Sequence, residues 1–157
     1  MRSLAEKLEI TPTALYRYYP DRKALEVALA WRSLERLSEA LEWAGQGLPG
    51  EKALAAVVRA YVEFAESRPA QYHLLMGSTE LNDKPKSESN PRLWSLLARL
   101  IGEINPNADV AGTVTAAWSL VHGYVSLCQS GLLPSEGFEK RLNRERLRRQ
   151  RAAQGLE

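Results

Sequence analysis

Ser3-Leu4-Ala5-Glu6-Lys7-Leu8-Glu9-Ile10-Thr11-Pro12-Thr13-Ala14-Leu15-Tyr16-Arg17-Tyr18-Tyr19-Pro20-Asp21-Arg22-Lys23-Ala24-Leu25 is the stretch from which the rest of the chain is read. Ser3 followed three residues later by Glu6 fits a capping box, which predicts a short helix opening at Ser3 and closing near Leu8. Thr11-Pro12 is a second start signal, a hydroxyl N-cap followed by proline at the first helical position, where no N–H is needed. That helix stops before Pro20, and Asp21 caps a third that runs to about Trp43 with Leu25, Leu29, Leu34, Leu37 and Leu41 on an apolar face. Two short helices joined by a tight turn have the proportions of a helix-turn-helix.

Beyond this head the punctuation stays helical. Gly45-Gln46-Gly47-Leu48-Pro49-Gly50 is a loop and marks a boundary between residues 1–43 and 44–157. Leu54, Val57, Val58, Tyr61, Phe64 and Ala65 then recur at helical spacing, followed by a short segment around Tyr72 to Met76 and a polar loop from Gly77 to Asn90. Asn90-Pro91 restarts a helix carrying Leu93, Leu96, Leu97, Leu100 and Ile104, and a longer helix runs from about Asp109 to Ser130, ended by Gly131 and Pro134. No stretch alternates apolar and polar residues long enough for a strand, so the fold class is all-α: a helix-turn-helix head followed by a helical bundle.

Composition narrows the function classes. The 157 residues contain one cysteine, Cys128, so no disulfide can form within the chain, and with no leader pattern at the N-terminus the sequence reads as cytoplasmic. The formal net charge of +2 conceals basic ends, +2 over Met1 to Arg36 and +4 over Phe138 to Glu157, around a middle of −4. Basic ends permit an anionic partner without requiring one. Val110 to Ser135 holds no Asp, Glu, Lys or Arg over 26 residues. Its many Ser, Thr, His and Gln side chains argue against a membrane span and for a helix covered by its own core on one side and a second subunit on the other. With His73 and His122 far apart and no Gly-rich phosphate loop, no nucleophile–base pair, cofactor motif or metal-ligand spacing stands out, which argues against an enzyme.

The second helix of a helix-turn-helix enters the DNA major groove. Thr11 and Thr13 stand at its start, where free amides favour a phosphate; Tyr16, Arg17 and Tyr18 supply donors further along, and Arg22 and Lys23 open the next helix. This set suits contacts that position a protein on the phosphate backbone, with few side chains left to read bases.

Residues Ser3 to Leu8 and Ile10 to Leu25 together resemble the tetracycline-repressor (TetR) family of bacterial transcriptional regulators. Trp118-Ser119-Leu120-Val121-His122-Gly123 is similar to the Trp-x-x-x-His-Gly signature of one C-terminal domain type of that family, the WHG domain. The resemblance implies a homodimeric, all-helical repressor that binds a palindromic operator and is released by a small-molecule effector. It implies DNA contacts at Thr11, Thr13, Tyr16 and Tyr18, backbone contacts at Arg22 and Lys23, and inward packing of Leu15 and Tyr19. Two departures stand out. Family members usually carry a helix of several turns before Ser3, so the resemblance implies a head lacking its first helix, with Leu4, Leu8 and Leu15 deprived of part of their packing. Glu9 stands where a left-handed glycine commonly ends a helix.

Tyr61, Phe64, His73, Trp94, Trp118 and His122 are the candidate effector contacts, each of which also reads plainly as a core residue. Met76 belongs with them. The charged segment from Glu139 to Arg151 is a possible electrostatic contact for DNA, although charged termini are ordinarily solvated. Two further readings stay open: a helical ligand-binding or interaction module without DNA binding, and a small all-α enzyme.

Overall fold

A computed structural model describes residues 1–78 and 90–134. Most of the loop expected between Gly77 and Asn90, and the charged segment after Pro134, lie outside these. The described residues form seven helices and no strand: α1 (Arg2–Lys7), α2 (Pro12–Tyr18), α3 (Arg22–Gly45), α4 (Gly50–Ser67), α5 (Pro69–Gly77), α6 (Pro91–Ile104) and α7 (Val110–Gln129).

Four starts are made by the side chains the sequence offers. Thr11, Asp21, Asn90 and Asp109 each accept from the backbone amide three residues on, closing α2, α3, α6 and α7. The capping box at Ser3 does not form. Helix α1 begins at Arg2, one residue earlier, because the Met1 carbonyl already accepts from the Ala5 amide at 2.9 Å, and Ser3 lies inside the first turn.

Helix ends are as informative. At the end of α1 the Ile10 amide donates to Ala5 O (3.0 Å) and the Glu9 amide to Glu6 O (3.1 Å), the two bonds of a Schellman motif, with Glu9 at φ 55°. The same pair closes α7, where the Leu132 amide reaches Leu127 O and the Gly131 amide reaches Cys128 O, with Gly131 at φ 76°. The geometry demands a left-handed residue in both places, and at the first a glutamate supplies it.

The core lies in the body. Leu37 and Leu41 of α3 pack with Val57, Tyr61, Val62 and Phe64 of α4, Tyr72 and Leu75 of α5, Leu96 and Leu100 of α6 and Val125 of α7. The inner line of α3 runs Ala30, Ser33, Leu37, Leu41, so Leu29, expected on the apolar face, and Trp31 point outward instead. Arg92 of α6 clamps Glu42 of α3 through Nε (3.1 Å) and Nη2 (2.6 Å) on the outside of this bundle. In the head, α1 and α2 pack on each other, and of their side chains only Ala5 and Leu15 are buried, apart from the main core. Leu4, Leu8 and Ile10 are exposed there. So little buried apolar area gives the head lower local stability than the body.

Candidate functional site

The tip of the head is built by local rules. Thr11 Oγ1 accepts from the Ala14 amide at 3.2 Å, which fixes the start of α2, and Leu15 turns inward as its buried anchor. With Leu15 inside, helical spacing carries Thr13, Tyr16 and Arg17 to the outer surface. Tyr16 is 47% exposed and Tyr18 75%, whereas Tyr19, just past the helix, is half-buried. Arg22 and Lys23 are exposed on the first turn of α3, Arg22 Nε meeting Glu26 Oε1 at 2.7 Å. All seven side chains expected at the tip therefore lie on the surface, and two large aromatic rings stand in water where a simple packing corner would bury them.

The second group lies in the body. The Tyr61 and Tyr72 hydroxyls are 3.0 Å apart, and Nδ1 of His122 is 2.6 Å from the Tyr72 hydroxyl and 3.4 Å from that of Tyr61. The Tyr61 and Tyr72 rings meet edge to face at 5.8 Å, and the Trp118 ring stacks on His122 one turn away at 5.6 Å. Tyr61 also hydrogen-bonds with Trp118. One proton order satisfies every group when the imidazole is neutral: the Trp118 indole donates to Tyr61, Tyr61 to Tyr72, and Tyr72 to His122 Nδ1. Burial pushes both phenols above the ordinary tyrosine range, and the Trp118 bond partly offsets this at Tyr61.

Beside this chain of hydrogen bonds is a cavity of about 60 Å³ between α4, α6 and α7, walled by residues that include Val57, Tyr61, Leu97, Trp118 and Val121. Tyr61 runs from the cavity wall into the hydrogen-bond chain, which ties the two together. Helices α4 and α7 run the same way, since Gln129 Nε2 also reaches Ala65 O at 3.2 Å beyond the Tyr61–His122 level.

The expected effector contacts separate on inspection. Tyr61, Trp118 and His122 come together. Phe64 is buried in the core with the Arg68 guanidinium 5.6 Å above its ring, and neither it nor the half-buried Trp94 lines the cavity. Met76 is partly buried against the core. His73 is exposed, in a surface cleft of about 550 Å³ shared with Arg22, Lys23 and Glu26. Tyr72, the hub of the hydrogen-bond chain, carried no sequence signal, because its partners lie 11 and 50 residues away. No three His, Cys, Asp or Glu side chains converge as a metal site among the described residues, and no described helix is long and apolar enough to cross a membrane.

Residues 54–147 match the model of the tetracyclin repressor-like C-terminal domain. The chain belongs to the tetracycline-repressor family. It is similar over 143 residues, at 25% identity, to the uncharacterized HTH-type transcriptional regulator YobS of Bacillus subtilis (strain 168), a match spanning 89% of this chain and 71% of that one. A solved structure of a protein with unknown function from Rhodococcus sp. RHA1 aligns with a TM-score of 0.70 and 26% identity, over 85% of this chain and 74% of its own. As a tetracycline-repressor family member the protein is a transcriptional regulator.

Proposed function

We propose that this regulator is a repressor that binds a palindromic operator as a homodimer and is released by a small molecule held in the body. Residues 1–43 act as the DNA-binding head and residues 44–157 as the effector-binding and dimerisation part, with α3 joining the two. The exposed aromatic and basic tip of α2 carries the reading: Thr11, Thr13, Tyr16, Arg17 and Tyr18, with Arg22 and Lys23, present hydroxyls and cations outward. Such a surface suits phosphate contacts. On this reading the protein works in the cytoplasm, where its operator is.

The outer face of α7 supports the homodimer. Leu120 is 76% exposed, with Ala116, Ser119 and Leu127 beside it, and a Cβ on Gly123 would meet nothing within 4 Å. An uncharged helix with small residues outward is suited to close packing against its own copy. Two heads so joined would reach successive major grooves about 34–36 Å apart. An effector favouring another spacing lowers operator affinity by the usual allosteric coupling of roughly 1–3 kcal/mol, about 5- to 150-fold. The Tyr61, Trp118 and His122 group beside the cavity, in keeping with the WHG signature, is where such an effector is sensed.

A mobility-shift titration at two salt concentrations tests the reading. Binding that weakens steeply with salt, and weakens further in Tyr18→Ala and Lys23→Ala, is the expected result. Binding to no DNA under either condition would leave the helical interaction module as the better account.

A further inference from the structure

The cavity is much longer than it is wide. Its walls run from Leu54 to Tyr61 on α4 and from Val114 to Val121 on α7. Seven residues along a helix, at 1.5 Å each, span about 10 Å. The volume of about 60 Å³ spread over that length makes a slot, well short of the roughly 150 Å³ in which a dry apolar cavity takes up benzene. Polarity is one-sided. Among the described residues around it, only Tyr61 and Trp118 carry an O–H or N–H, both at the end beside His122, while Leu54, Ile101 and Val114 close the other end. No Asp, Glu, Lys or Arg lines it.

We infer that the slot takes an unbranched alkyl chain with an uncharged hydrogen-bonding head, the head lying at the Tyr61–Trp118 end. This rests on the reading of the cavity as the effector site. A straight chain fits a thin channel, and each methylene gains by leaving water for apolar walls. A ring of similar carbon number would have to push well-packed helices apart. A carboxylate would be buried with no cation from the wall to pair with it, whereas a hydroxyl or carbonyl asks only for a share in the Tyr61 and Trp118 hydrogen bonds.

Calorimetric titration of the full chain with hexanol, heptanol and octanol is the test. The expected affinity rises about fourfold per added methylene. Hexanol is expected to bind more tightly than cyclohexanol, and octanol than octanoate at neutral pH, by about tenfold or more in each case. Equal affinity for cyclohexanol would overturn the slot, equal affinity for octanoate would overturn the uncharged head, and no dependence on chain length would overturn both. Ala117→Leu fills the middle of the wall and is expected to cost octanol about tenfold in affinity; the alcohol series on the unaltered chain decides the matter whether or not this variant folds. Operator binding is measured beside it. A complex that ignores bound octanol refutes the effector role and leaves the slot chemistry standing, whereas a chain that binds operator and takes up no alcohol refutes the slot chemistry alone.

Discussion

Replacing Tyr72 by phenylalanine removes one oxygen from the middle of the body and keeps the ring that fills it. Tyr72 is 2% exposed, and its hydroxyl lies 2.6 Å from His122 Nδ1 and 3.0 Å from the Tyr61 hydroxyl. Each neutral hydrogen bond is worth about 0.5–1.5 kcal/mol net, and buried partners left without one cost more. Two lost bonds give roughly 1–3 kcal/mol. Part returns, because Tyr61 already stands 3.4 Å from His122 Nδ1 and can close on it. The expected destabilisation is therefore about 1.5–2 kcal/mol, read by urea unfolding at fixed protein concentration. Tyr16→Phe, which removes a hydroxyl from a ring 47% exposed, is expected to change stability by less than about 0.5 kcal/mol. A Tyr72→Phe variant as stable as the parent would refute the hydrogen-bond chain as a structural element.

Alkaline titration tests the same group another way. Both buried phenols have folded-state pKa values above the ordinary one of about 10, so the folded chain holds its protons longer than the unfolded one. Stability from this source is complete below pH ~10 and falls as pH rises further, by up to about 1.4 kcal/mol per pH unit for each tyrosine; Tyr61→Phe/Tyr72→Phe should flatten the slope, and an unchanged slope would contradict it. In the head, Glu9→Gly relieves a left-handed glutamate at a cost of roughly 1–2 kcal/mol and gives back about 0.5–1 in chain entropy. The net gain of about 0.5–1 kcal/mol should slow exchange of the Ile10 amide about two- to fivefold, and faster exchange would count against a strained turn. On α7, Leu120→Arg puts a charge on the face proposed to meet a second copy. Sedimentation should shift from dimer toward monomer with the helical signal retained, and a parent chain that is itself monomeric would remove that face from the account.

What the sequence made legible was local. Thr11-Pro12, Asp21, Asn90-Pro91 and Asp109 each cap the helix they announce, because a cap needs only a side chain and an amide three residues on. Ser3 misled for the same local reason, since the Met1 carbonyl offers an earlier start. Glu9, read as standing in a glycine's place, does adopt the left-handed conformation. The site was legible in part: Trp118 and His122, four residues apart, had to share a face, but nothing nearby in sequence says that Tyr72 arrives at His122 from 50 residues away. His73 was grouped with His122 by residue type alone. Its neighbour Tyr72 faces the core, and one step along a helix, about 100°, carries His73 out to the surface.

Selection of bound fragments from a random duplex pool tests the central claim most directly. The account predicts enrichment of a two-fold symmetric site with half-sites about one helical turn apart, lost when Arg17, Tyr18 and Lys23 are replaced together by alanine in a chain that keeps its helical signal. No enrichment by the parent chain, or an undiminished site with all three side chains gone, would contradict the assignment of α2 and the start of α3 as the DNA-contacting surface.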